Sequence, residues 1–234
     1  MKLTIVIPAH NEEESLPATI KGLEEDVRTT HDILVVNDHS SDATPEVLEA
    51  LSKKYKNLKS VTNDTPPGFT NAIKKGFSQV TEGAVVLVMA DTCDDARAID
   101  RMFDKLNEGY DVVCASRYMK GGIKIGGRFL QTVFSRAAGI SLCFLTGIPT
   151  HDASNAFKMY RKEALEAIDI REAGFASSLE IVVKLFQKGF KITEIPTTWK
   201  DRACGTSSFN IPKVLSNYLH WYFWAMLVRK EARE

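Results

Sequence analysis

Residues 3–38 read LTIVIPAHNEEESLPATIKGLEEDVRTTHDILVVND. The run opens on LTIVIP (3–8), apolar throughout and rich in β-branched side chains, as expected of a strand buried on both faces. Asn11 then reads as the cap of a helix over 12–27, whose acids crowd the first turn, where the helix dipole favours them. DILVVND (32–38) returns to the strand pattern. A buried strand, a helix and a second buried strand make one βαβ unit, and that unit implies a parallel sheet covered by helices.

The alternation continues outward from this unit. TPEVLEALSKKY (44–55) reads as a helix with Thr44 as N-cap and Pro45 at N1. LKSVTND (58–64) is a weaker strand, and GFTNAIKKGFSQV (68–80) is a helix opened by Gly68. AVVLVMA (84–90) is a fourth strand, 95–106 a helix, and DVVCASR (111–117) a fifth strand. After Arg117 the pattern changes. GGIKIGG (121–127) reads as a flexible loop, and 128–148 as a helix apolar nearly all round. Further on come a short strand (154–160), a helix over 176–189 ended by Gly189, and an alternating strand over 190–202. The expected fold is a single α/β nucleotide-binding domain (1–210) with a mostly parallel mixed sheet, followed by an amphipathic helix and charged tail (211–234).

Bulk properties narrow the function classes. In 234 residues, 30 basic and 30 acidic side chains cancel, which argues against a dedicated nucleic-acid binder. Cys93, Cys114, Cys143 and Cys204 are scattered without metal spacing, as in a reduced cytoplasmic chain. His10, His39 and His151 match no common metal motif either. The opening MKLTIVIPAHNEE lacks the pattern of a signal peptide, and no segment offers the ~20 apolar residues expected of a membrane span. In the last segment, Tyr218, Trp221, Tyr222, Phe223 and Trp224 beside basic residues suggest peripheral contact with the cytoplasmic face of a membrane.

In open parallel α/β sheets, ligands bind outside the carboxyl ends of the strands. Those ends carry Pro8, Ala9, His10, Asn11 and Glu12; Asn37, Asp38 and His39; Asp91, Asp94 and Asp95; Arg117; and Asp201 with Arg202. PAHNEE has no GxGxxG glycines, and no P-loop GK[ST] occurs, so dinucleotide and P-loop chemistry are disfavoured. Acids clustered off a buried strand require a cation. Carboxylate and phosphate oxygens together suit Mg²⁺ or Mn²⁺, which bridges a sugar diphosphate and stabilises it as a leaving group.

Six blocks, in order from Val6 to Phe209, carry a specific resemblance: VIPAHNEE, VVNDHSSDAT, MADTCDD, SRYMKGG, DASNAFKMYRKEAL and WKDRACGTSSF. Together they resemble the family 2 glycosyltransferases, in particular the dolichyl-phosphate mannose synthase branch. The resemblance implies a GT-A type domain and an inverting transfer from a GDP- or UDP-sugar. It implies that Pro8, Ala9, Asn11 and Glu12 line the base and ribose pocket and that Asp38 faces the nucleotide. Asp91 matches the metal carboxylate, with Asp94 or Asp95 supporting metal or acceptor. Arg117, Lys158 and Arg202 would bind phosphates, and Ser207 belongs to a substrate-covering loop. Met89, Asn37, Lys158 and Ser208 depart from the family pattern: the DxD is incomplete, one acid is an amide, and Lys158 lacks the bidentate fork of arginine.

Two acceptors stay open on the residues. A polyprenyl phosphate has a second pKa of about 6 and is its own nucleophile, so phosphate-binding cations matter most. A glycan or cell-envelope hydroxyl needs a carboxylate base, Asp94 or Asp95. The incomplete DxD also admits a catalytically weak nucleotide-sugar-binding protein. Glu180, on an otherwise apolar helix, reads equally as a buried structural acid or an active-site acid.

Overall fold

The computed structural model describes residues 1–202 and 211–227, with side chains from Leu215 onward in the latter segment. Cys204, Ser207, Ser208 and the rest of 203–210, together with 228–234, lie outside the described residues.

The elements run β1 (Leu3–Ala9), α1 (Leu16–Asp26), β2 (His31–Asn37), α2 (Thr44–Lys54), β3 (Leu58–Thr62), α3 (Phe69–Gln79), β4 (Ala84–Leu87), α4 (Ala98–Asn107) and β5 (Val112–Ser116). They continue with β6 (Ile123–Ile125), α5 (Phe129–Thr146), β7 (Lys158–Arg161), α6 (Lys162–Glu166), α7 (Ser177–Gln187), β8 (Ile192–Pro196), β9 (Thr198–Lys200) and α8 (Ile211–Leu227). Among the described residues the main sheet has the order β3-β2-β1-β4-β7-β5-β8, and only β7 runs antiparallel to its neighbours. This is the mixed, mostly parallel sheet that the βαβ pattern predicts.

Alternation along the strands divides the core. Leu3, Ile5 and Ile7 of β1 pack with Leu16, Ile20 and Leu23 of α1 and Ile99 and Met102 of α4. Val6 and Val36 face the opposite side, with Ile73 and Phe77 of α3 and the apolar residues of α7. Gly76 of α3 lies so close to β1 that a Cβ there would stand 2.4 Å from Val6 Cγ1, so a side chain at that position would push the helix off the sheet.

Several local expectations are corrected. Ser15, not Asn11, precedes α1, and residues 12–15 make a separate turn, so Glu12 to Glu14 lie outside the first helical turn. Thr44 is the first residue of α2 rather than its cap; its Oγ1 instead accepts the Glu12 N–H at 2.9 Å. The glycine-rich 121–127 stretch contains β6, and 190–202 divides into β8 and β9, which enter different sheets. Thr197 between them is buried. β9 pairs with β6 in parallel, with Lys124 opposite Trp199.

α5 also exceeds the expectation that no segment suits a membrane. It has the length and apolar composition to cross one, and little of it is buried. Phe129, Phe134 and Phe144 are 78%, 65% and 87% exposed. α8 is not a detached appendage. Trp221 Nε1 and Asn217 Nδ2 donate to the two oxygens of Glu172, and Tyr222 donates to Ser141 of α5. Its outer face shows Leu215, Leu219, Phe223 and Leu227 at spacings of four, one stripe along the helix. Glu180 resolves as structural: it is fully buried, accepts the N–H groups of Arg171 and Glu172, and pairs with Lys184.

Candidate active site

β1 lies between β2 and β4, and the chain leaves β1 toward one neighbour and later returns to the other. This reversal opens a crevice at the carboxyl edge, where ligands of such sheets bind. Backbone strain marks the same edge. The described non-glycine residues with positive φ are Asn11, His39 and Thr92, which follow β1, β2 and β4. A β-branched Thr92 at φ 60° is costly and persists only where the surroundings hold it.

The loops after β1 and β2 are laced together. Asn11 N–H donates to Ser40 Oγ at 3.0 Å, and Asn11 Oδ1 accepts the Ser41 N–H at 2.7 Å. Glu12 Oε2 accepts from Ser15, and Glu13 accepts the Ala43 N–H. Asn11 is exposed on this rim, Glu12 is half-buried, and Pro8 and Ala9 are buried within β1 beneath it. Asp38 sits otherwise than expected. It is buried, with Oδ1 accepting from Asn63 Nδ2 and Oδ2 from the Gly68 N–H. Both oxygens therefore organise the starts of neighbouring elements and do not face the crevice.

After β4 the three acids separate into different environments. Asp91 Oδ1 accepts the Cys93 N–H, and Asp91 Oδ2 accepts from Arg202 Nη2 at 3.0 Å. Asp94 lies close beneath. Burial, then the charge of Asp91, pushes its carboxyl up to about 7, against the pull of the Met89 N–H and Arg117. Asp95 is engaged locally: its carboxylate accepts from Arg97 N–H and Arg97 Nε, and its carbonyl receives the Ala98 N–H at the start of α4. The capping function expected of Asp94 thus belongs to Asp95. Cys93 is buried, and burial with the nearby acids keeps its thiol protonated. A cleft of about 230 Å³ runs under this segment, between Gly22 of α1, Asp94 and Lys200 of β9.

Arg117 extends from the end of β5. Its Nε and Nη2 bond the two oxygens of Asp152 at 2.7 and 2.8 Å, and Asp152 is fully buried. Burial alone would weaken the guanidinium's hold on its proton; Asp152 outweighs that and keeps Arg117 charged. Asp152 is held in turn, its N–H donating to Thr150 Oγ1, while Glu194 of β8 bonds both the backbone and the ring of His151. Gly139 of α5 permits this packing, since a Cβ there would stand 2.1 Å from the His151 carbonyl.

Lys158 does not meet the phosphate-binding expectation. It is fully buried in β7, its ammonium bonds the Asn155 carbonyl, and burial lowers its pKa to about 8. Asp152 and Lys124, which complete the charged surroundings of Arg117, carried no periodic signal. Asp152 lies in the DASNAFKMY block, but only the tertiary contact reveals its partner. Among the described residues, no three His, Cys, Asp or Glu side chains gather to hold a metal unaided.

The sheet order and the carboxyl-edge site define a GT-A type glycosyltransferase fold. The profile of glycosyl transferase family 2 matches residues 4–169, and the chain belongs to that family. It is 29% identical over 227 residues to a dolichol-phosphate mannosyltransferase of Pyrococcus furiosus, covering 95% of this chain and 63% of that protein. The chain therefore spans less than two thirds of that relative's length. It is 27% identical to a polyprenol monophosphomannose synthase of Mycolicibacterium smegmatis, covering 93% of this chain and 85% of the relative. The glucosyl-3-phosphoglycerate synthase of Mycobacterium tuberculosis, solved with Mn²⁺, UDP-glucose and phosphoglyceric acid, superposes with a TM-score of 0.72 at 15% identity, covering 96% of this chain and 79% of that one.

Proposed function

We propose that this chain is an inverting hexosyltransferase that moves a sugar from a GDP- or UDP-linked donor to a polyprenyl phosphate. The observation that carries the reading is the arrangement of Asp91, Arg202 and Arg117 off the ends of β4, β9 and β5, with Asp94 beneath. The names of the two relatives point to the same acceptor class. Asn11 and Glu12, exposed and half-buried on the crevice rim, are the donor-facing candidates, with Pro8 and Ala9 as the floor.

A divalent cation fits this site. Asp91 and Asp94 are hard oxygen donors close enough for one charge to perturb the other, and Arg202 already supplies Asp91 with a cation. Asp91 and Asp94 would hold Mg²⁺ or Mn²⁺, with Met89 offering no third carboxylate and donor phosphate oxygens completing the shell. When bound, the metal neutralises charge on the departing diphosphate.

The chain's own residues do the rest. As the bond from the sugar carbon to the diphosphate breaks, the acceptor phosphate oxygen forms the new bond from the opposite face. With a second pKa of about 6, that phosphate is ionised near neutrality and needs no base. Arg117, its plane fixed by Asp152, turns its remaining edge toward the site and orients an anion. Arg202 is poised to pass from Asp91 to a phosphate. Ser207, outside the described residues, keeps the substrate-covering role that the family resemblance implies. A hydroxyl acceptor would require a free carboxylate base, and Asp95 is occupied by Arg97.

The exposed apolar faces of α5 and α8 support peripheral membrane contact next to residues 1–210, with 211–234 contributing one helix of that surface. The test is transfer of radiolabelled sugar from GDP-mannose or UDP-glucose to a polyprenyl phosphate, with Mg²⁺ or Mn²⁺. Lipid-linked product is expected. Transfer to hydroxyl acceptors alone, or donor binding without turnover, overturns the reading.

A further inference from the structure

Lys124 is the central residue of β6, paired in register with Trp199 of β9. Its ammonium lies 5.1 Å from the Trp199 ring centroid and donates to Thr132 Oγ1 of α5 at 2.7 Å. Gly127 makes room for it: a Cβ there would stand 3.3 Å from Lys124 Cε and 3.4 Å from Nζ. The side chain is thus held between an indole, the first turn of α5 and a glycine turn.

What Lys124 lacks is a counter-charge. Among the described residues no carboxylate reaches ion-pair distance of its ammonium. The nearest acids are occupied, Asp152 by Arg117 and Asp201 by the N–H groups of Gly127 and Arg202. Burial and the charge of Arg117 both work against the ammonium, with Asp152 and Asp201 only partly offsetting them. Two cations that repel each other across a partly buried space favour an anion between them.

The surroundings describe the rest of that ligand. Ile123 and Ile125 flank Lys124 and are half exposed, and Phe129 and Leu130 of the adjoining helical turn are more so. A charged group therefore stands at the foot of an apolar strip.

We propose that Lys124 is a binding residue for the acceptor, closing with Arg117 on its phosphate monoester while an apolar chain lies along the first turns of α5. This rests on the polyprenyl-phosphate reading above. It supplies the cation that Lys158, sealed within the sheet, does not.

The experiment measures transfer to farnesyl phosphate and to glycerol phosphate by wild type, Lys124→Met and Lys124→Arg, using whichever of GDP-mannose or UDP-glucose the wild type turns over. Methionine keeps the stem against Trp199. The expected result is a rise of about ten- to a hundredfold in the KM for farnesyl phosphate in Lys124→Met, the loss of one charge-assisted contact. Donor KM and the thermal shift with donor should be unchanged, Lys124→Arg should recover most of the loss, and glycerol phosphate should be a poor acceptor. An unchanged farnesyl phosphate KM in Lys124→Met overturns the inference and leaves the functional reading intact. Equal use of glycerol phosphate overturns the apolar seat. Absence of wild-type transfer to farnesyl and longer polyprenyl phosphates overturns the functional reading and the inference with it.

Discussion

Arg202 Nη2 stands 3.0 Å from Asp91 Oδ2, with both side chains largely shielded from solvent. The carboxylate best placed to bind a metal is therefore already paired with a cation of the chain itself. Metal and guanidinium compete for one oxygen, so the affinity of the free protein for metal includes the cost of displacing Arg202.

That competition predicts opposite effects of Arg202→Gln on two measurements. Without nucleotide, Mn²⁺ should bind several-fold more tightly, since a pair of this exposure contributes up to ~1 kcal/mol, or about fivefold. Turnover should fall at least tenfold, because the leaving diphosphate loses a cation. Mn²⁺ titration followed by electron paramagnetic resonance checks the first, and weaker binding in the variant would refute it.

Removing one partner of Arg117–Asp152 should be far costlier than removing both. Asp152→Ala strands a buried guanidinium and should destabilise by about 3–5 kcal/mol. The double variant Arg117→Met with Asp152→Leu should recover much of that, while losing transfer activity. Urea unfolding of the two single variants and the double variant measures the coupling, and additive losses would count against the pair.

Lys158 predicts a pH dependence of stability. Its folded pKa of about 8 lies below the model value of 10.5, chiefly through burial. Between those values the unfolded chain holds the extra proton, so this group's contribution to stability rises with pH there. Below about 8 both states are charged and the penalty is complete. Relative to Lys158→Met, wild type should gain up to about 3 kcal/mol between pH 8 and pH 10.5. Denaturant curves at intervals across that window provide the check; a flat difference would mean that the amine is solvated when folded.

The apolar outer faces of α5 and α8 predict binding to lipid. Phe134→Glu and Phe144→Glu, both at exposed positions, should leave the melting temperature nearly unchanged and lower liposome binding by tenfold or more. Phe223→Glu on α8 should add to the loss. Co-sedimentation with vesicles of mixed neutral and anionic lipid measures it, and undiminished binding would place the contact elsewhere.

The parallel sheet was legible because its signal is local. Strands buried on both faces, such as Leu3–Ala9, must be apolar throughout, and the intervening helices must carry one apolar stripe. β6 and β9 were not legible. Each is three residues long, and glycines surround β6. Short segments of this kind become strands only through a partner distant in sequence. The capping assignments of Asn11 and Thr44 failed for a related reason: both side chains are used between loops, in bonds that link residues about thirty apart.

The strand-end residues Asp91, Arg117 and Arg202 were identifiable in the sequence, because strand periodicity alone places them at the carboxyl edge. Tertiary structure decided what each could do. It sealed Lys158 inside the sheet, gave both oxygens of Asp38 to Asn63 and Gly68, and separated Asp94 from Asp95 although they are adjacent in the chain. It also brought Asp152 to Arg117 and left Lys124 facing that pair without a counter-ion among the described residues. The physical reason is that periodicity is a property of neighbouring residues, whereas burial and charge pairing depend on groups brought together from distant parts of the chain.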